Sequence, residues 1–237
     1  MIVMNTDQAH TLRNGLLLAL LFCTLFTVVP VRAGATPGAA TESYRYRQQT
    51  GRNEECFEWS LEHREEPLLQ AIGPEQRHQT LMEPNMATRR WYLDHPENST
   101  HVAVWREGDE LLLQGQWRGE PLDKTLQIDD APWFQALSVS LRPFLTGSEE
   151  STEFWTLRPD KLTAHKIRAR KRGQETVLVG GEEVLAHRVE VGMTGPAALL
   201  GKGRYWFRAC DLVLLRYQGP GGLPGTPATT ILLDTGR

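Results

Sequence analysis

The sequence predicts a mainly β protein: an antiparallel meander curled into an open half-barrel, with one short helix packed on its concave face. Three observations predict this. Between residues 152 and 218, run after run alternates apolar and polar side chains: TEFWTL, LTAHKIRARKR, ETVLV, EVLAHRVEV, RYWFRA and LVLLRYQ. Such alternation marks strands with one buried face. The runs are rich in valine and aromatic residues, which suit a pleated surface. Tight turns separate them. The clearest is Gly180-Gly181, where two glycines can take the positive φ angles of a hairpin turn.

Taken in order, the chain opens with Arg13, an apolar run over residues 15–29, and the small-residue stretch Val31-Arg32-Ala33-Gly34-Ala35. The run falls short of the about 20 residues that a membrane-spanning helix needs. Its layout is that of a secretory signal, residues 1–33, cleaved after Ala33. Residues 34–43 read as a flexible lead-in and residues 44–237 as a single domain. SYRYRQQ and CFEWSLEH begin the sheet. Residues 65–85 hold Pro67, Pro74 and Pro84 and read as irregular. TRRWYL resumes the sheet, a hairpin of 101–106 and 110–117 turns across Glu107-Gly108-Asp109, and 122–128 follows.

Asp129 and Asp130 can cap a helix, and Pro132 suits a first helical turn. Trp133, Phe134, Leu137 and Leu141 recur at helical spacing. A helix is therefore expected over 132–142, ended by Pro143, with its aromatic face on the sheet. After residue 218 a loop rich in Gly and Pro leads to a last strand, TTILL. A sheet of about a dozen strands closes or curls around a core, hence the half-barrel.

The net charge of −3 argues against sequence-independent nucleic-acid binding, which rests on many phosphate contacts. Beyond the leader, no stretch reaches membrane length. Cys56 and Cys210 are the cysteines outside the leader. In an oxidising compartment they can pair, tying an early strand to a late turn, or stay free as buried thiols. Lys166, Arg168, Arg170 and Arg172 share one face of a strand. That face can meet lipid headgroups or an acidic partner, or simply be solvated.

Catalytic signatures are weak. Asp234-Thr235-Gly236 matches the catalytic tripeptide of aspartic proteases but has no second copy in the chain, and reads as a strand end with a turn glycine. Asp94, His95 and His101 flank one loop, without the spacing of a metal site. No Gly-x-Ser-x-Gly elbow, metal set or cofactor motif appears.

The stretches LQIDDAPWFQALSVSLRPF (126–144), FWTLRPDKLTAHKIRARKRGQETV, GRYWFR and RYQGPGGLPGTP resemble an uncharacterised family of secreted bacterial β-rich proteins, over roughly residues 44–233. The layout of the late hairpins is also similar to that of the lipoprotein-localisation carriers, which place an open β-barrel over helices around an apolar groove. The resemblance implies this architecture and a periplasmic place. It brings no functional residue with it.

Three functions from different classes follow. The first is a non-catalytic periplasmic protein that holds a lipid, acyl chain or other apolar ligand, with Trp133, Phe134, Leu137, Trp155 and Trp206 lining the pocket. It predicts a deep apolar cavity. The second is a structural or assembly factor that binds another envelope protein; it predicts a filled interior with an exposed apolar patch or sheet edge. The third is a hydrolase or metal enzyme, which needs Asp94, His95 and His101 to converge.

Overall fold

The computed structural model describes residues 40–195, 201–219 and 227–236. The expected leader lies outside them, as does most of the lead-in. The strands are β1 (Thr41–Thr50), β2 (Asn53–Glu62), β3 (Leu68–Ile72), β4 (Arg77–Met82), β5 (Thr88–His95), β6 (Thr100–Glu107), β7 (Glu110–Trp117) and β8 (Glu120–Gln127). After a connector come β9 (Ser151–Arg158), β10 (Thr163–Val179), β11 (Glu182–Met193), β12 (Lys202–Arg208), β13 (Leu214–Gly219) and β14 (Thr229–Leu233). All fourteen belong to one sheet, in the order β8-β7-β6-β5-β4-β3-β2-β1-β14-β13-β12-β11-β10-β9. Every neighbour is antiparallel.

This order has a consequence for the site. The first and last strands pair at the centre of the sheet, and its two free edges, β8 and β9, are consecutive in the chain. The segment that joins them, residues 128–150, starts at one edge and ends at the other. It carries the α-helical turns of the described residues. These are α1 (Leu137–Ser140) and α2 (Arg142–Thr146). The sheet is an open half-barrel, and this connector fills its concave side.

The alternation read from the sequence is present strand by strand. Tyr44 and Tyr46 on β1, Trp59 and Leu61 on β2, Trp91 and Leu93 on β5, and Leu111 and Leu113 on β7 all lie on the concave face by register. Gly180 and Gly181 take φ +57° and +85°, the left-handed pair that a tight hairpin requires.

Three expectations need correction. Residues 65–85 are not irregular: β3 and β4 form a hairpin there, with Pro67, Pro74 and Pro84 in the turns that bound it. Proline is excluded from a central ladder but not from its ends. LTAHKIRARKR and ETVLV are one strand of 17 residues, β10, with an irregularity between Lys171 and Gln174. The helix begins at Leu137, not Pro132. Residues 132–134 are extended because their backbone is taken by neighbouring strands. Trp155 N donates to Pro132 O (2.8 Å), Phe134 N to Trp155 O (2.8 Å), and Thr88 N to Trp133 O (2.7 Å). Pro143 does not end the helix; it sits in the first turn of α2, where no N–H is needed.

Candidate functional site: the concave face and its mouth

The connector has two halves. The first, residues 128–135, is an extended strap. Arg106 donates to the Asp129 carbonyl (2.9 Å) and the Ala131 carbonyl (2.7 Å). Gln135 N donates to Thr88 Oγ1 (2.9 Å), and the Gln135 side chain bonds both the N–H and the carbonyl of Leu157. Asp129 accepts from Trp155 Nε1 (2.7 Å) and from Lys166. The Lys166 hydrogen bond, reinforced by that of Trp155, lowers the Asp129 pKa to about 2, so this carboxylate is ionised at neutral pH.

The second half, α1 and α2, is apolar and sparsely tied. Val139, Leu141, Phe144 and Leu145 are buried in a cluster with Tyr46, Trp59, Leu61, Leu69 and Met82 of the concave sheet. Its polar ties are few. Trp59 Nε1 donates to Ser138 Oγ (3.3 Å), and Lys171 Nζ reaches the Gly147 carbonyl (2.5 Å). Arg142 makes a bidentate pair with Glu42 (3.0 Å) and stands over the Trp59 ring at 5.5 Å. Glu42 also meets His63 Nε2 at 2.5 Å.

The pocket candidates separate. Trp133 is fully buried, at 0 % exposure, in a second cluster with Trp91, Val104, Leu113 and Leu157. Phe134 packs on Phe154, ring centroids 4.9 Å apart, in the larger cluster. Leu137 is half-buried against that same cluster. Trp155 stands on the opposite face of β9 from Phe154 and joins the Trp133 cluster, so β9 buries both faces. Trp206 belongs to the larger cluster as well, but from the other face of the sheet. Its neighbour Tyr205 packs against Tyr217 on the concave face, ring centroids 4.7 Å apart, which puts Trp206 on the convex one. There it donates to Glu175 (2.6 Å) and lies under Arg216.

What remains open on the concave side is a mouth of about 130 Å³ between β1 and β4, lined by Gln48, Glu55, Phe57, Ala71, Gly73, Gln76 and His78. Trp133, Phe134 and the helical turns occupy the interior where a carrier's deep apolar cavity was expected. Gln48 Nε2 donates to Glu55 Oε1 (2.5 Å) on one wall. On the other, His78 stacks on Trp91 at 5.7 Å, and burial lowers its pKa to about 4, so it is neutral at physiological pH. Sequence reading missed this mouth. The one signal was His78 alternating with Thr80 and Met82 between two prolines.

Other candidates resolve simply. Asp94 pairs with His101 (2.5 Å), while His95 turns to the other face toward Glu75 at 3.6 Å, so the three do not converge. No group of three or more His, Cys, Asp or Glu suited to a metal occurs among the described residues. Asp234 ends the last strand and pairs with Arg45 and Arg47. Cys56 and Cys210 are free thiols. Cys56 shares a ladder row with Arg47, Leu232 and Arg216, three strands across, and Cys210 lies beyond the far end of that last strand. Strand spacings of about 4.8 Å put them well outside the roughly 7 Å Cα limit of a disulfide. On the basic strand, Lys166 is held by Asp129 and Arg168 by Glu153. Arg170 and Arg172 line a convex groove.

No protein-family model matches the chain, and no curated protein does. A solved structure does: a β-barrel-like protein of a domain of unknown function, DUF1849, from Brucella abortus. It has a TM-score of 0.56 at 7% identity, over 81% of this chain and 94% of that one. The chain shares that protein's fold. More distant are the hypothetical lipoprotein YmcC from Escherichia coli (TM-score 0.34, 14% identity, 81% and 86% covered) and a LolA-superfamily protein from Nitrosomonas europaea (0.27, 9%, 83% and 84%). The structural likeness bears out the resemblance to an uncharacterised β-rich group at the level of fold. No helix of the described residues is long and apolar enough to cross a membrane.

Proposed function

We propose that this is a non-catalytic binding protein of the bacterial envelope, exported by residues 1–33, which holds an apolar ligand on the concave face of its half-barrel. The observation that carries the reading is the asymmetry of the connector. An apolar sheet surface is covered by two helical turns with few polar ties, whereas the adjoining strap is bonded along its backbone. In this reading an acyl chain takes the place of α1 and α2, meeting Phe134 of the strap and Tyr46 and Trp59 of the concave sheet. Its polar end sits at the mouth beside Phe57 and His78. The fold shared with another β-barrel-like protein supports the architecture and says nothing of cargo.

Native mass spectrometry of protein purified gently from its own envelope tests this. A stoichiometric lipid adduct, increased when Arg142→Ala frees the helix, is the expected result. A clean apo mass for both proteins overturns it. In that case the second reading, docking to another envelope protein, takes over. The exposure of Leu178 (69%) and Leu185 (50%) on the β10–β11 hairpin favours it.

A further inference from the structure

The convex face carries a separate groove that the filled interior does not explain. It has a volume of about 190 Å³ and is lined by Arg168, Arg170 and Arg172 of β10, Glu190 and Gly192 of β11, and Lys202 of β12, with Met193–Gly195 at its rim.

Its shape comes from one residue. Arg168 stands opposite Gly192, and Gly192 stands opposite Lys202. On the middle strand of three there is therefore no side chain between two cations, and strands β10 and β12 are about 10 Å apart at twice the usual spacing. The backbone here does not require glycine, because φ is not positive. A Cβ would press only on the flexible Lys202 side chain, at Cγ (3.3 Å), and meet the Gly201 carbonyl at an ordinary 3.9 Å. The glycine serves space, not conformation.

The charges do not balance. Arg168 is answered by Glu153, from outside the groove (Nε–Oε1 2.8 Å). Glu190 serves two cations, Arg172 at 2.7 Å and Lys202 at 3.8 Å. Arg170 is exposed and has no carboxylate within 4 Å among the described residues. Four cations thus face two carboxylates, a surplus of two positive charges around an open floor. A guanidinium fork with uncommitted N–H donors, flanked by a second guanidinium and an ammonium, matches the oxygens of a phosphate.

We propose that the groove over Gly192 binds a phosphate group. It lies on the face opposite the concave mouth and does not depend on what the mouth holds. Glu190 acts as the internal competitor, occupying Arg172 and Lys202 until the phosphate takes them over.

Two probes identify the source of the phosphate: inorganic phosphate in calorimetry, and cosedimentation with vesicles of phosphatidylcholine alone or mixed equally with phosphatidylglycerol. Arg170→Ala is expected to weaken binding about tenfold, as expected for losing a charged hydrogen bond. Gly192→Glu, which sets a carboxylate between Arg168 and Lys202, should abolish it. Glu190→Gln should strengthen it, a gain that damage to the fold would not produce. Binding of both probes with this pattern assigns a site for soluble phosphate esters. Binding only to phosphatidylglycerol vesicles, with the same pattern, assigns a headgroup site. Failure of both probes to bind, or binding indifferent to Arg170→Ala and Gly192→Glu, overturns the proposal.

Discussion

The strap and the helical turns are adjacent in sequence and cover the same sheet, yet they are held by different physics. In the strap, backbone groups of residues 132–135 are bonded to Thr88 and Trp155, and side chains from β6, β9 and β10 hold Asp129 and Ala131. To lift it would expose buried peptide groups, each costing about 1–3 kcal/mol. The helical turns satisfy their own backbone and rest on the sheet mainly through apolar contact. To lift them costs burial, which an apolar ligand in their place would restore. An interior that is full at rest can still be a binding site if what fills it is exchangeable, and here only one half of the filling has that character.

The comparison breaks if the strap proves expendable. Trp133→Ala should produce the largest loss of stability, about 3–5 kcal/mol, as expected for truncating a fully buried aromatic side chain. Chemical denaturation checks it. Phe144→Ala in α2 should cost less, because the turns around it can settle into the space. A larger loss at Phe144 than at Trp133 would reverse the assignment of fixed and exchangeable halves.

A smaller effect separates the helix tether from the mouth by pH. Glu42 has a pKa below its usual 4.5: burial raises it, but hydrogen bonds from Arg142 and His63 outweigh that. A carboxylate lowered in this way contributes stability above its unfolded pKa and loses it as pH falls through the folded one. The tether therefore weakens below about pH 4.5. His78 resists protonation in the fold, its pKa lowered by burial from 6.5 to about 4. The unfolded chain takes up that proton first, so stability also falls as pH drops from about 6.5 to about 4. Glu42→Gln should cost about 1–3 kcal/mol at neutral pH and remove the lower window. His78→Leu should remove only the upper one. Denaturation midpoints across pH distinguish them, and a single shared window in both variants would show that tether and mouth are coupled.

The half-barrel was legible because alternation is a local signal: Phe57, Trp59 and Leu61 announce a buried face without knowledge of their neighbours. The strap was not. Trp133 and Phe134 sit at spacing that suits a helix, but the decisive partners, Thr88 and Trp155, lie far away in sequence, and their hydrogen bonds override the local preference. The mouth was hidden for a related reason. His78, Ala71 and Gln48 come together only through the β1–β4 ladder, and prolines at 67, 74 and 84 masked two of its strands. Trp206 shows the limit of counting aromatics, since one step of register put it on the convex face. The basic strand was visible as composition, but the groove that gives it a use depends on Gly192, one strand over.

The smallest expected effect is at Ser138, and it sharpens the comparison most directly. Its hydroxyl accepts from Trp59 Nε1 at 3.3 Å, a long hydrogen bond at a half-buried site. Ser138→Ala should cost only about 0.5–1.5 kcal/mol. Hydrogen exchange should nonetheless quicken at residues 139–146 and stay unchanged at 132–135, because the helical turns can open locally while the strap opens only with the sheet. Faster exchange in both segments would mean that the connector moves as one body, and a ligand would then have to displace Trp133 along with the helix.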